Sequence, residues 1–340
     1  MPKITAAGNG TFQGRISHDS KLGLSFQYLE ELSGCPVAQH VCVQENARRT
    51  RITIVLLILL LFWSSGCSKP QPSTKPKIAA TIFPLCDIAR NIVGDRMDVV
   101  EILPPGASPH TYQVTPQHVE GLRGVRIIFR IGHGLDDWAG AIADVAPDAG
   151  VVVVDKGIRL IYSTEGGREH GAANPHYWLS PDNGMIIARN IEQEVARLDS
   201  RNEPYYKTNL ETYLAKIAAA KKEVEQELSG LPDRTIITFH DAYAYLAAGF
   251  GLNIVGTFEP SPGKEPTPGD LARLERNVRA YHIKAVFTEP ELSSAAVESF
   301  VKDMGLTVYV LDPLGGFDQR DSYIALLKYD AAILAKALSQ

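Results

Sequence analysis

The stretch PYYKTNLETYLAKIAAAKKEVEQEL, residues 204–228, decides how the chain is organised. It is charged and rich in alanine, which predicts one long helix, and Gly230 and Pro232 mark the end of that helix. A helix of about 25 residues is about 37 Å long. We therefore expect a stiff connection, rather than a flexible linker, between the parts of the chain on either side.

On both sides of this helix, short apolar runs alternate with helical patterns. The runs before it lie at 78–82, 97–103, 125–131 and 151–154, and those after it lie at 235–239, 254–258, 285–288 and 307–311. Strands that alternate with helices are typical of a mostly parallel sheet covered by helices. The sequence therefore predicts an α/β lobe in residues 77–202, a linking helix in 203–230 and a second α/β lobe in 231–340.

Residues 48–66 have the features of a signal peptide. A cluster of arginines precedes an apolar run at 52–63, which is shorter than the roughly 20 residues that span a bilayer as a helix. The small residues at 64–66 stand before Cys67 and resemble a bacterial lipobox, although Ser64 occupies the place where Leu is usual. We expect Cys67 to be lipidated, with a retained short anchor or cleavage elsewhere as the alternatives.

The segments on either side of the signal peptide are not expected to fold. Residues 1–47 lie upstream of the arginine cluster, where a signal peptide normally begins, and we hypothesise that they are not translated in the cell. Residues 67–76 are polar and rich in proline, which is typical of an extended tether. Of the four cysteines, only Cys86 then remains in the folded part, so no intramolecular disulfide is expected.

The composition indicates a folded protein that does not bind nucleic acid. Of the 340 residues, 45% are hydrophobic and 21% are charged, which is enough apolar material for a core. The formal net charge is −5, whereas a nucleic-acid-binding protein needs a basic face that neutralises phosphates. The chain also has no Gly-x-x-x-x-Gly-Lys-[Ser/Thr] loop, so it does not resemble an ATPase.

Four segments each carry a histidine or an aspartate at the end of a predicted strand or in the loop that follows. They are PHTY (109–112), NPHYWL (174–179), TFHDA (238–242) and VLDPLGG (310–316). Open α/β sheets bind their ligands at the carboxyl ends of strands. A single histidine in a loop is more often a surface residue than a metal ligand, so each segment alone is a weak indication.

Together with two further segments, these motifs carry a family resemblance. The segments ILPPGASPH (102–110), NPHYWL (174–179), FHDAY (239–243), FTEP (287–290) and LDPLG (311–315) occur in this order. They are similar to the successive signatures of the zinc and manganese solute-binding proteins of bacterial ABC importers. The resemblance covers roughly residues 77–340.

The resemblance implies two Rossmann-like lobes joined by a rigid helix, with one transition-metal ion in the cleft between them. By the family's pattern, His110 and His176 come from the first lobe, and His240 and Asp312 from the second. Three neutral imidazoles and one carboxylate would form a closed tetrahedral site around zinc. Such a site has no open position for an activated water and therefore suits a carrier better than an enzyme.

The residue at position 240 bears on the choice of metal. Manganese-selective relatives commonly carry Glu where His240 stands, and a second carboxylate would suit a harder ion. We therefore expect zinc rather than manganese. Ligating histidines usually donate their other ring N–H to an oxygen, so Glu289 and Asp241 are candidate orienting partners. The loop at 163–173 has one histidine; we interpret it as an ordinary connection, with a metal-collecting loop as the alternative.

The resulting prediction is a non-enzymatic, extracytoplasmic protein that binds zinc and delivers it to the membrane permease of an ABC importer. It would be a monomer, held by its lipid in the periplasm or at the outer face of the cytoplasmic membrane. A manganese or iron carrier of the same family and a metal-binding surface adhesin are the alternatives. A zinc hydrolase is disfavoured because the chain has no His-Glu-x-x-His helix and no Gly-x-Ser-x-Gly motif.

Overall fold

The computed structural model describes residues 75–145, 148–162, 172–259, 265–290 and 298–339. The predictions for residues 1–66, for Cys67 and for most of the tether and of the 163–173 loop lie outside these residues. Within the described part of the chain, none of the helices combines the length and the apolar composition that would let it cross a membrane.

The first lobe is built on a four-stranded parallel sheet with the strand order β2-β1-β3-β4. Its elements are β1 (Lys77–Ala80), α1 (Phe83–Val93), β2 (Asp98–Glu101), α2 (Pro116–Gly121), β3 (Val125–Arg130), α3 (Trp138–Val145) and β4 (Gly150–Val153). The helix α3 begins at Trp138. Before it, the Asp136 carboxylate accepts the backbone N–H groups of Ile131 and Gly132, which fixes the turn that leads into the helix.

The second lobe repeats this arrangement with a parallel sheet in the order β6-β5-β7-β8. Its elements are β5 (Thr235–His240), α6 (Ala244–Phe250), β6 (Asn253–Glu259), α7 (Pro268–Ala280), β7 (Ala285–Thr288), α8 (Glu298–Asp303) and β8 (Thr307–Val310). Thr267 caps α7, since its hydroxyl accepts the Asp270 N–H while the Asp270 carboxylate accepts the Thr267 N–H. The two parallel sheets confirm the predicted α/β fold.

Three long helices lie alongside the two sheets: α4 (Pro181–Leu198), α5 (Glu203–Ser229) and α9 (Tyr323–Leu338). The helix α5 has 27 residues, which corresponds to about 40 Å. It packs against α1 and α4 of the first lobe and against α9, which follows the last strand of the second lobe. The C-terminal helix therefore returns to the linking helix, an arrangement that the pattern of apolar residues did not reveal.

The lobes are joined by buried hydrogen bonds as well as by α5. The indole Nε1 of Trp178 donates to the carbonyl of Pro313 at 2.7 Å, and the hydroxyl of Tyr323 donates to the carbonyl of Trp178 at 2.6 Å. The hydroxyl of Tyr245 donates to the carbonyl of Asn174 at 3.0 Å. Trp178 and Tyr323 are fully buried. These bonds leave little freedom for the lobes to separate near their contact.

Candidate metal site

Two of the predicted site residues stand where the chain leaves a strand, and the other two lie in longer connections. His240 is the last residue of β5, and Asp312 lies two residues beyond the end of β8. His110 lies in the loop between β2 and α2, and His176 precedes a 3₁₀ turn at Tyr177–Leu179. Because the strands of each sheet are parallel, their carboxyl ends meet at one edge, and this edge is the usual ligand-binding position of open α/β folds.

The structure brings three of the four predicted ligands together. The Nε2 atoms of His110 and His176 are 3.2 Å apart, and those of His240 and His176 are 3.3 Å apart. One ligand atom from each of the three rings lies within 4.8 Å of the other two. His176 and His240 are 2% and 4% exposed, whereas His110 is half-buried, so two of the three rings are shielded from water.

The spacing of these nitrogens suits a tetrahedral ion. Zinc–nitrogen bonds of about 2.0–2.1 Å at tetrahedral angles require nitrogens about 3.3–3.4 Å apart. The two Nε2–Nε2 distances, 3.2 and 3.3 Å, match that edge length. The first lobe supplies two of the rings and the second lobe supplies the third, so an ion held by all three would connect the lobes.

Asn174 fixes the protonation of the His176 ring. Its Oδ1 lies 3.0 Å from the backbone nitrogen and 3.0 Å from Nδ1 of His176. Its Nδ2 donates to the carbonyl of Asp241 at 2.8 Å, which determines the orientation of the amide group. An oxygen facing Nδ1 requires a proton on Nδ1, so Nε2 of His176 carries the lone pair.

Glu289 has the same effect on His240. Its Oε1 lies 2.6 Å from Nδ1 of His240, and both side chains are almost fully buried. Burial raises the pKa of Glu289 above its ordinary value, and the adjacent His240 ring opposes that rise. The carboxylate accepts the Nδ1–H, which leaves the lone pair of His240 on Nε2.

Two Nε2 lone pairs therefore face each other across 3.3 Å between His176 and His240. Two such acceptors repel each other unless a cation lies between them. A metal ion that accepts both lone pairs removes the repulsion, and the orienting oxygens increase the basicity of the ligating nitrogens. The donor set of this cluster therefore fits a transition-metal ion.

Asp312 does not belong to the three-imidazole cluster. Its Oδ1 accepts the backbone N–H groups of Leu314 and Gly315 at 2.8 Å each. Its Oδ2 lies 3.1 Å from Nη1 of Arg320, although this contact lacks hydrogen-bond geometry. The side chain is fully buried, and its role as a fourth ligand stays a prediction.

The two predicted orienting residues differ in how they reach the site. Glu289 contacts a candidate ligand directly through its carboxylate. Asp241 reaches His176 through its backbone carbonyl, which accepts from Asn174. Any role of the Asp241 side chain stays a prediction. Asn174 itself was missed, although an asparagine two residues before a histidine commonly folds back on the following backbone N–H.

The chain is similar to several known proteins. A family model described as "Zinc-uptake complex component A periplasmic" matches residues 78–337. The manganese ABC transporter substrate-binding lipoprotein PsaA of Streptococcus anginosus is 27% identical over 302 residues, which covers 85% of this chain and 97% of PsaA. The iron ABC transporter substrate-binding lipoprotein MtsA of Streptococcus pyogenes serotype M1 is 28% identical over 297 residues, which covers 84% and 96%.

A solved structure extends the likeness to three dimensions. The crystal structure of a zinc-bound ZnuA deletion mutant is similar to this chain with a TM-score of 0.71 at 29% sequence identity. The match covers 78% of this chain and 99% of the ZnuA chain. The similar proteins are thus named for zinc, manganese and iron.

Proposed function

The chain belongs to the zinc-uptake component A family of metal ABC transporter substrate-binding proteins, which are not enzymes, and we propose that its cargo is zinc. The observation that carries this proposal is the cluster of His110, His176 and His240. Imidazole is a preferred ligand of zinc, whereas manganese favours carboxylate oxygens. A site with three ring nitrogens, in which His176 lies 3.2 and 3.3 Å from the other two, supports zinc more strongly than manganese or iron.

Asp312 is the proposed fourth ligand. Its Oδ1 is held by two backbone N–H groups, and no hydrogen bond within the described residues reaches its Oδ2. That oxygen is the one with coordination capacity to spare. With Asp312 added, the site would have four protein ligands and no position for a reactive water, which suits a protein that carries the ion unchanged.

The division of ligands between the lobes suggests how the ion is held. Zinc bound by His176 and His240 would link the lobes across their contact. The interlobe bonds of Trp178 and Tyr323 limit how far the cleft can open. We therefore propose that the ion enters and leaves through small movements at the cleft rather than through a wide hinge motion.

The membrane partner and the location of the protein follow from the family. A substrate-binding protein passes its cargo to the permease of its transporter, so we propose that this chain delivers zinc to an ABC permease outside the cytoplasm. Two similar proteins are named lipoproteins, which supports lipidation at Cys67. We further propose that the protein acts as a monomer.

A competition titration tests the proposed cargo. Protein stripped with a chelator is titrated with zinc, manganese(II) and iron(II) against a chromophoric chelator of known affinity. We expect one zinc per chain and at least about a hundredfold preference for zinc over manganese, given the ordering of affinities at nitrogen sites. Tighter binding of manganese or iron than of zinc would overturn the proposal.

The pH dependence of zinc affinity is a second test of a histidine-dominated site. Imidazole must be neutral to bind a metal, so the affinity should fall as the pH drops through about 6.5. The His176→Ala variant should bind zinc more weakly by orders of magnitude at every pH. An affinity that stays constant from pH 8 to pH 5 would show that imidazoles do not dominate the site.

A further inference from the structure

Arg320 is a half-buried cation beside the proposed metal site. Its Nη1 lies 3.1 Å from Oδ2 of Asp312, and the Arg320 side chain is only 17% exposed while Asp312 is fully buried. Neither sequence motifs nor the imidazole cluster assign a role to this arginine. Arg320 lies next to Asp312, which is the one proposed ligand outside the imidazole cluster.

The guanidinium is held in place by its surroundings. It lies over the ring of Tyr329, 4.6 Å from the ring centroid, and 5.5 Å from the centroid of Phe317. The backbone carbonyl of Arg320 accepts the N–H of Gly316 at 2.9 Å, which closes a tight loop. Gly316 adopts a positive φ of 89°, a conformation that favours glycine. Arg320 is therefore a fixed charge rather than a mobile surface side chain.

The Asp312 carboxylate keeps its position without help from Arg320. Its Oδ1 accepts from the N–H groups of Leu314 and Gly315. Its own backbone N–H donates to Oδ1 of Asp330 at 2.9 Å. Three bonds thus set the place of this residue, and the contact with Arg320 is left as an electrostatic one at Oδ2.

We propose that Arg320 is a built-in competitor of the metal: its guanidinium pairs with Oδ2 of Asp312 and thereby weakens metal binding and accelerates metal release. This inference rests on the proposed function. A divalent cation bound to Asp312 must share the carboxylate with a positive charge that also repels it. When the metal ion leaves, the Asp312 carboxylate can pair with the Arg320 guanidinium in its place. This replacement makes release of the ion easier, which suits a protein that must pass its cargo on.

The charge of Arg320 is the feature to vary. The Arg320→Gln variant removes the charge, and Arg320→Lys keeps it on a different shape. Because removal of one nearby charge changes ion binding strongly, we expect Arg320→Gln to bind zinc about tenfold more tightly and to release it more slowly. Arg320→Lys should return the affinity most of the way to that of wild type. The zinc affinity and the rate of zinc release are measured at pH 8 with a chromophoric chelator.

Two further variants make the result specific. Arg279→Gln removes the same charge from α7, where the Arg279 side chain is 69% exposed and pairs with Glu275, and it should leave zinc binding unchanged. Tyr329→Leu removes the ring under the guanidinium and should tighten zinc binding in the same direction as Arg320→Gln, by a smaller factor. Tyr329→Leu also provides a test if Arg320→Gln does not fold.

Thermal unfolding separates this role from a purely structural one. Without metal, Arg320→Gln should melt at a lower temperature than wild type because a buried carboxylate loses its counter-ion. With zinc, its melting temperature should rise by more than that of wild type, since ligand stabilisation grows with affinity. Weaker or unchanged zinc binding by Arg320→Gln and Tyr329→Leu, when wild type binds tightly, would overturn this inference alone. Failure of wild type to bind any of the three metals would overturn the proposed function instead.

Discussion

A single oxygen of Asn174 contacts both the backbone nitrogen and the ring Nδ1 of His176, each at 3.0 Å. The same amide donates to the carbonyl of Asp241 in the second lobe. One asparagine therefore sets the tautomer of a candidate ligand and also ties that ligand to the opposite lobe. The orientation of the His176 ring and the contact between the two lobes therefore both depend on the Asn174 amide.

Replacement of Asn174 by alanine should weaken zinc binding by about 10–100-fold, the usual effect of losing a partner that orients a ligating histidine. The His176 ring would lose the acceptor that keeps its lone pair on Nε2. Competition titration measures the change. Asn183→Ala is the matched control, because Asn183 donates to the carbonyl of Tyr177 and, among the described residues, its side chain forms no hydrogen bond with an imidazole. Equal effects of both substitutions would contradict the orienting role.

Glu289→Gln should weaken zinc binding by about tenfold, since a neutral amide is a poorer partner for Nδ1–H of His240 than a carboxylate. Isothermal titration with a competing chelator measures this loss. The matched control is Glu192→Gln in α4, which changes another buried carboxyl, 6% exposed, away from the imidazoles. An unchanged affinity in Glu289→Gln would mean that the short contact to His240 does not support the site.

His240→Glu should shift selectivity towards manganese. A carboxylate in place of an imidazole makes the ligand set harder and offers a second oxygen. We expect the ratio of zinc affinity to manganese affinity to fall by at least about tenfold, measured by titration of both ions on the same preparation. A ratio that stays constant would show that this position does not select the metal.

Asp87 should make stability depend on pH. Its Oδ2 accepts the Tyr323 N–H at 3.0 Å and the Tyr213 hydroxyl at 3.1 Å, which joins α1 to α9 and α5. Burial raises the pKa of Asp87, and these bonds offset part of the rise. A carboxyl with a raised folded-state pKa stabilises the fold fully below its unfolded-state pKa, about 3.9, and this contribution is lost as the pH rises through the folded-state value.

The Asp87→Asn variant tests this direction. Melting temperatures of the metal-free protein are compared between pH 4 and pH 7. The melting temperature of the variant should rise relative to that of wild type as the pH rises, because the variant has no carboxyl to ionise in a buried position. Asp318→Asn, at an exposed position, should keep the pH slope of wild type. If the difference in melting temperature between wild type and Asp87→Asn stays constant with pH, the effect assigned to Asp87 is wrong.

Most of the fold could be predicted because each strand and helix of a βαβ pattern can be recognised from a short stretch of sequence. The strand at 285–288 was predicted with the bounds that the structure has, and the helix expected at 204–228 runs from Glu203 to Ser229. The packing of α9 on α5 could not be predicted in this way. The apolar pattern of α9 shows that it has a buried face, but several surfaces could cover that face, and only the three-dimensional arrangement selects one.

The site was partly predictable for a similar reason. His110, His176 and His240 could be named in advance because their motifs resemble those of a known family, and parallel strands bring their carboxyl ends to one edge of each sheet. The roles of Asn174 and Arg320 depend on the path of a turn and of a loop. Arg320 meets Asp312 only because a loop with two positive-φ glycines folds the chain back, and no spacing rule predicts that contact.

Zinc K-edge X-ray absorption of the zinc-loaded protein tests the central claim most directly, because it reports the atoms bound to the ion. We expect a first shell with three imidazole nitrogens at about 2.0–2.1 Å and one oxygen, and the loss of one imidazole in His110→Ala. A first shell made mainly of oxygens, or one that does not change in His110→Ala, would contradict a zinc site built on the three histidines.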